Sequence, residues 1–525
     1  MRHKNGIVSA FVEAGWIAAG AAVLLVPALV SGRPFIFYDS WVFYMWGKDV
    51  LAAISHPWPA VGQFPAGRNL WASEAVSALP AIVDVTQFRL TLSAIGSRSV
   101  FYAVPVYFLG SLWATAAAQA ALVSGVLDLL VRAVGWRHRM AFMGLVVFLT
   151  LTTTLPFFAA FIMPDIFTGL SIIAAGLLLF FFDSLPVFPR WILAALIAYA
   201  MGAHNSNALL MASALPIGIA VVGLRTSIRD GFRRSLPVAA AVFAGIAALV
   251  LASIGLRMVF GRPVQNPPFA LGRIIADGPG LAYLQESCET VKYVSCELVD
   301  PNRKESLYTE GFMWPQIGKF KFSPEFDPDR RERFYAEQWQ VVRGAIEHHA
   351  LGQAKASLTN AFWQLVMFKL RPEMNDALVE TLRMPLRRAG ITASLTPNVE
   401  VCQEGDGHSC NRAIREWMWR FLQLWQHAVV GLSALFLIVA IAPALVSRAR
   451  RATLATEQQF AIFCCCLVGV NGIICGVLSG PYNRYQARVV WLVPLAALVV
   501  AGRAWVERVN LELAPRREAP PRINR

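Results

Sequence analysis

Long apolar runs alternate with short polar connections along most of the chain. A bilayer core needs roughly 20 apolar residues per helix. Runs near that length begin around Ile7, Val100, Ala141, Ile166, Trp191, Ala208, Pro237, Ala428, Phe460 and Ala487. The pattern predicts an all-α polytopic membrane protein with about ten transmembrane helices. The two runs between Trp191 and Leu224 are the shortest, and Gly202-Ala203-His204-Asn205 interrupts them. Two polar stretches break the alternation, residues 32–99 and 261–426. The second is long enough for a small, mostly helical domain. Within it, 329–370 reads as helix, with Phe334, Trp339, Val342, Ile346, Phe362, Leu365 and Phe368 at mostly helical spacing. The chain therefore divides into an N-terminal transmembrane module (1–260), the polar domain (261–426), C-terminal transmembrane helices (427–505) and a basic tail (506–525).

Composition agrees with this class. The 525 residues are 56% hydrophobic and only 15% charged, which excludes an ordinary soluble enzyme. Orientation follows from the short basic connections. Arg2 and Lys4 precede the first run; Arg132, Arg137 and Arg139 follow the second; Arg225, Arg229, Arg233 and Arg234 follow the sixth; Arg448, Arg450 and Arg451 follow the eighth. Alternate threading puts all of them in the cytoplasm, together with both termini, and puts both polar stretches outside. In a bacterial cell this is a multi-pass inner-membrane protein. The net charge of +14 is then a topology signal and an attraction to anionic membrane lipid. No nucleic-acid partner is expected, because no basic patch is interleaved with exposed aromatics. No cleavage site follows Val30-Ser31-Gly32, so the first run is expected to stay as a helix.

Cys288, Cys296, Cys402 and Cys410 fall in the second external stretch, where an oxidising compartment permits disulfides. Four cysteines allow three connectivities, and pairing of near neighbours is the expectation. Cys464, Cys465, Cys466 and Cys475 lie inside a run and read as small packing residues. The adjacent His348 and His349 cannot share a helix face and read as solvated surface.

The candidate chemistry gathers at the outward ends of the runs. Phe37-Tyr38-Asp39-Ser40-Trp41 follows the first. Its aromatics are interfacial anchors, and Asp39 is a helix cap, a general base or a metal ligand. Met163-Pro164-Asp165 opens the fourth run, where Asp165 serves as an ordinary helix start or as a second carboxylate of a site. His204-Asn205-Ser206-Asn207 forms the turn between the two shortest runs. It reads either as helix capping or as a proton-transfer and phosphate-orienting group. Gly480-Pro481-Tyr482-Asn483-Arg484-Tyr485-Gln486-Ala487-Arg488 precedes the last run. Arg484 and Arg488 are four residues apart and would share a helix face. Two arginines against the charge rule point to phosphate recognition, the competing role being headgroup snorkelling. Arg98, before the second run, adds positive charge to the same side. Ionisable groups at membrane depth usually mark a working site. No glycine-rich nucleotide loop follows a strand, which argues against ATP-driven chemistry.

The early external Asp39, a later acidic residue and external arginines before a final helix resemble the polytopic glycosyltransferases of the GT-C superfamily. Tyr38-Asp39-Ser40, Arg98-Ser99, Met163-Pro164-Asp165, His204-x-Ser206 and Arg484-Tyr485-Gln486-Ala487-Arg488 also resemble a set of bacterial multi-pass membrane proteins, over most of the chain. The GT-C resemblance implies a sugar moved from a polyprenyl-phosphate donor to an extracytoplasmic acceptor. Asp39 would be base or partner of a divalent cation, with Asp165 assisting. His204, Asn205, Arg484, Tyr485, Arg488 and Arg98 would contact substrate. Many members carry paired acids in the first loop, whereas here Ser40 follows Asp39 and the next acid is Asp49. Two other classes fit the same residues: a transporter or flippase of a lipid-linked saccharide, and a non-catalytic interaction protein.

Overall fold

The computed structural model describes residues 2–55, 98–136, 138–260, 268–298, 328–370 and 416–513. Among these residues the regular structure is helical, apart from an isolated parallel bridge between Phe35 and Phe161. The first half contains α1 (Arg2–Leu24), α2 (Val26–Val30), α3 (Tyr38–Ser55), α4 (Val100–Leu109), α5 (Leu112–Ala133), α6 (Arg139–Thr152) and α7 (Leu155–Ala159). There follow α8 (Ile166–Phe180), α9 (Val187–Ala203), α10 (Asn205–Arg225) and α11 (Ile228–Phe260). A smaller unit holds α12 (Phe269–Ala276), α13 (Pro279–Ser287) and α14 (Pro328–Val366). The chain ends with α15 (Glu416–Leu445), α16 (Arg448–Arg451), α17 (Thr456–Leu478), α18 (Asn483–Val490) and α19 (Leu492–Leu513).

Among the described residues six stretches are long and apolar enough to cross a membrane: Leu112–Ala133, Asn205–Arg225, Ile228–Val259, Trp417–Leu445, Thr456–Leu478 and Asn483–Arg503. Five further apolar helices have 10–17 residues. The run beginning at Val100 forms two helices. Gly110 takes a left-handed conformation (φ 63°) at the end of α4, and the Ser111 hydroxyl accepts from Ala114 N (3.4 Å) to start α5. A Gly-Ser pair is a stop followed by a start, and apolarity alone hides it.

The middle of the bundle is α8, every residue of which is buried. A helix apolar all round belongs inside. Its glycines admit bulky neighbours: a Cβ on Gly169 would lie 2.6 Å from the Trp491 ring, and one on Gly176 would lie 2.6 Å from Phe460. The ends of the long helices differ in charge. At one end Asp128, almost fully buried, pairs with Arg132 and with Arg139 (2.8 Å). Glu13 bridges the same arginines at 3.1 and 3.3 Å, tying α1, α5 and α6 together. Arg225 ends α10, and Arg503 pairs with Glu457 (2.6 Å) at the start of α17. The other ends of α10 and α17 carry the candidate site.

The smaller unit has its own apolar centre, made by Leu271, Ile274, Ile275, Leu284, Val294, Phe334, Val341 and Ala345. Cys288 and Cys296 form a disulfide there, as local pairing predicts; Cys402 and Cys410 lie outside the described residues. The Glu337 carboxylate accepts from Val294 N (2.7 Å), Ser295 N (2.6 Å) and the Ser295 hydroxyl, and so holds the disulfide loop against α14. Helix α14 breaks at His349 (φ −128°, ψ 37°). Beside that kink His348 and His349, at the solvated surface as expected, both meet the exposed Glu286, at 3.8 and 3.4 Å. Past the kink α14 packs on α17 as well, while Gln353 and Asn360 still bond to Asp277 at the end of α12. Phe334 therefore fills a core as expected, whereas Trp339, Ile346, Phe362 and Leu365 are exposed despite their helical spacing.

Candidate functional site

Four segments far apart in sequence are stitched together in pairs by backbone and hydroxyl hydrogen bonds. Phe35 N donates to Ala160 O (3.0 Å), and Ile162 N donates to Phe35 O (2.9 Å). The Ser40 hydroxyl accepts from Phe37 N (2.9 Å) and donates to Ile162 O (2.7 Å). This lays the segment bearing Asp39 alongside the one bearing Asp165. Ser99 caps α4 through Phe101 N (3.1 Å), and its hydroxyl donates to Gly202 O. Arg98 is thereby held beside the His204 turn, where it forms an ion pair with Asp39. Asp39 lies in the first turn of α3, one residue after the helix begins, so the cap position is not its place.

Arg488 is completely buried. Its Nη1 lies 3.3 Å from Asp165 Oδ1. Its Nη2 donates to Ser206 Oγ (2.8 Å), Asn471 Oδ1 (3.0 Å) and Cys475 Sγ (3.4 Å). Arg484 Nε stands 3.8 Å from the same Asp165 oxygen, and its guanidinium lies over the Phe37 ring at 4.4 Å. Tyr485 lies between the arginines, its ring 5.4 Å from each guanidinium carbon and its hydroxyl accepting from Ser479 (3.0 Å). Asp165 occupies the N-cap position of α8 but makes no capping bond. Its carboxylate is fully buried and turned to the arginines, and Oδ2 has no hydrogen-bond partner; nor has Arg488 Nε. Buried polar atoms are almost always paired, so two orphans in one cluster need a reason.

His204 caps α10: its Nδ1 accepts from Ser206 N (3.3 Å) and lies 2.9 Å from Ser206 Oγ. Burial, and then the charges of Arg488, Arg484 and Arg98, push its pKa well below the usual histidine value, so the ring is neutral. With Nδ1 accepting, the ring proton sits on Nε2. Nε2 faces Arg488 Nη1 at 3.4 Å. With this tautomer two N–H donors lie side by side, and an acceptor oxygen bridging both would satisfy them.

Two carboxylates (Asp39, Asp165) and three guanidiniums (Arg98, Arg484, Arg488) leave this cluster at a net +1, since 3 − 2 = 1, with His204 neutral. It is therefore suited to an anion. Among the described residues, no three His, Cys, Asp or Glu side chains gather as a metal would require. Each carboxylate already faces an arginine, so the donor set does not fit the divalent cation expected as a partner of Asp39. Of the expected contacts, Asp39, Arg98, Asp165, His204, Arg484, Tyr485 and Arg488 converge. Asn205 does not: it is exposed at the first position of α10, and Ser206 reaches Arg488 in its place. Asn471 and Cys475, four apart on α17, join the site although neither is among the expected contacts. Asn471 is a polar residue in an apolar run, a signal that was available; Cys475 read simply as packing. No protein family model, curated protein or solved structure matches this chain, so the site stands on its own chemistry.

Proposed function

We propose that the chain is a membrane glycosyltransferase acting on a polyprenyl-phosphate sugar at its extracytoplasmic face. The observation that supports this most is Arg488. A guanidinium with no exposed surface, beside a second arginine and at the end of a helix bundle, costs several kcal/mol to desolvate. Such a group at membrane depth marks a functional site, and its unused Nε and the neighbouring His204 N–H provide donors for an anionic oxygen.

In this reading Arg484 and Arg488 hold the phosphate of the lipid-linked donor. The acceptor hydroxyl gives its proton to Asp39 as its oxygen bonds to the anomeric carbon. The bond from that carbon to the phosphate oxygen breaks, and polyprenyl phosphate leaves with the bonding pair. Its charge is met by the two guanidiniums and by the neutral His204 N–H. Asp165 keeps the arginines oriented, and its Oδ2 is an acceptor for a substrate hydroxyl. A lipid-borne donor fits an external site, because nucleotide sugars are not expected outside the cytoplasm. The basic helix ends at Arg225, Arg229, Arg233 and Arg234, remote from the site along α10, support that orientation.

One observation favours transport of a lipid-linked saccharide instead. Asn471 stands seven residues from the end of α17 at Leu478, about 10 Å along the helix, and transporter sites lie toward the midplane. Donor-dependent sugar transfer by purified Arg484→Lys and Arg488→Lys proteins tests the reading. Lys keeps the charge but loses the planar fork, so each variant should transfer less and the Gln variants less still. Equal activity in wild type, Lys and Gln variants would reduce the arginines to anchors. Binding of the lipid-linked donor without any transfer would favour the transporter.

A further inference from the structure

The second half of α14 is amphipathic in the inverted sense. Its polar stripe points into the protein. Gln353 donates to Asp277 Oδ2 (2.7 Å), and Asn360 donates to Asp277 Oδ1 (2.8 Å). Gln364 brackets Tyr482: its Nε2 donates to Tyr482 O and its Oε1 accepts from Tyr482 N, each at 2.8 Å. On the opposite stripe exposed Lys355 separates Leu351 from Leu358, Phe362 and Leu365, and these four apolar side chains are 37–88% exposed, with Trp363 and Val366 beside them. No charged residue lies between Lys355 and Lys369. The first half differs, with Glu337, Arg343 and Glu347 on its surface or in polar bonds and an exposed Arg343–Glu347 pair.

The glycines of α17 fix the depth. A Cβ on Gly476 would lie 2.6 Å from Asn360 O, and one on Gly472 would lie 2.6 Å from Leu365. As α14 advances from 360 to 365, its neighbour on α17 retreats from 476 to 472, so the helices run antiparallel. Residue 472 is six positions inside α17, which ends at Leu478. The end of α14 is thus about 9 Å below the end of a helix long and apolar enough to span a membrane. On α17 itself Ile473 and Leu478 are exposed at these levels, continuing the apolar face of α14. Inside hydrocarbon polar groups need partners within the protein; the amide nitrogens of Gln353 and Asn360 find theirs on Asp277, and Gln364, the deepest of the three, is bonded through both its amide atoms.

We propose that residues 356–366 form a re-entrant membrane helix whose Leu358–Phe362 face lies against lipid acyl chains. The segment dips in beside α17, clamps the Tyr482 backbone, and so sets the position of the hairpin that carries Arg484 and Arg488. It belongs to a stretch that hydropathy alone assigns to the aqueous domain. The proposal is independent of which reaction the arginines serve.

Photocrosslinking of the full chain in phospholipid vesicles tests it. A benzophenone amino acid replaces Leu358 or Phe362, with Trp339 on the first half of α14 and buried Ala361 as comparisons. Positions 358 and 362 should give adducts with a radiolabelled phospholipid several-fold above position 339. Position 361 should crosslink within the protein, reporting that α14 is seated on α17. With that internal crosslink present, failure of 358 and 362 to capture lipid overturns the proposal. Capture of a second copy of the chain in place of lipid also overturns it.

Discussion

Asp165 is the group whose loss should be felt most, because its carboxylate is the partner of two buried guanidiniums. Removing one member of a buried ion pair costs about 3–5 kcal/mol, since the other charge stays desolvated. Asp165→Asn keeps an oxygen for Arg488 Nη1, and Ser206, Asn471 and Cys475 still accept from Nη2. The cost should therefore lie at the lower end, about 3 kcal/mol, or on the order of 100-fold in the folding equilibrium. Asp165→Leu removes the acceptor altogether and should approach about 5 kcal/mol. Adding Arg488→Met to Asp165→Leu should recover about 2 kcal/mol or more, because an apolar pair of similar volume replaces a pair of charges. A reversible unfolding titration in mixed micelles measures each variant, and the proposed sugar transfer is assayed beside it. Stability should return in the double variant while transfer stays lost, which separates packing from chemistry. An Asp165→Asn cost below about 1 kcal/mol, the size expected of an exposed pair, would refute the reasoning.

Two further outcomes follow from the surroundings of His204 and from the small unit. The folded-state pKa of His204 is depressed, so below about 6.5 the unfolded chain binds a proton that the folded chain refuses, and stability should fall with pH from that point until the folded pKa is reached. His204→Asn, which can still cap α10, should lower the pH slope by up to about 1.4 kcal/mol per unit; an unchanged slope would mean that His204 titrates normally. The Cys288–Cys296 bridge closes a loop of separation 8, and Cys288→Ser should destabilise the small unit by about 2–3 kcal/mol. Peptide mass spectrometry without reductant should recover the 288–296 pair, and free alkylation of both thiols would exclude it.

Much of the architecture was written in hydrophobic period and length. The apolar runs named the helices, because burying a span's worth of apolar residues leaves a chain in a bilayer few alternatives. Polar residues at the ends of those runs named most of the site, because a charge at membrane depth is rarely idle. The spacing of Cys288 and Cys296 foretold their bridge.

Contacts between segments hundreds of residues apart were decided only in three dimensions. Asp165 has the sequence context of a helix cap, and only the arrival of Arg488, 323 positions later, turns its carboxylate away from the helix. Asn205 and Ser206 are equally polar in sequence. The pitch of α10 sends Ser206 to Arg488 and Asn205 outward. Asn471 and Cys475 looked like interruptions or filling within α17 until the hairpin of α18 folded back on them. The second half of α14 has too many polar residues to score as a membrane helix. Its amides are matched by Asp277 and Tyr482, and the partner of a buried amide is a property of the fold that no local window of sequence contains.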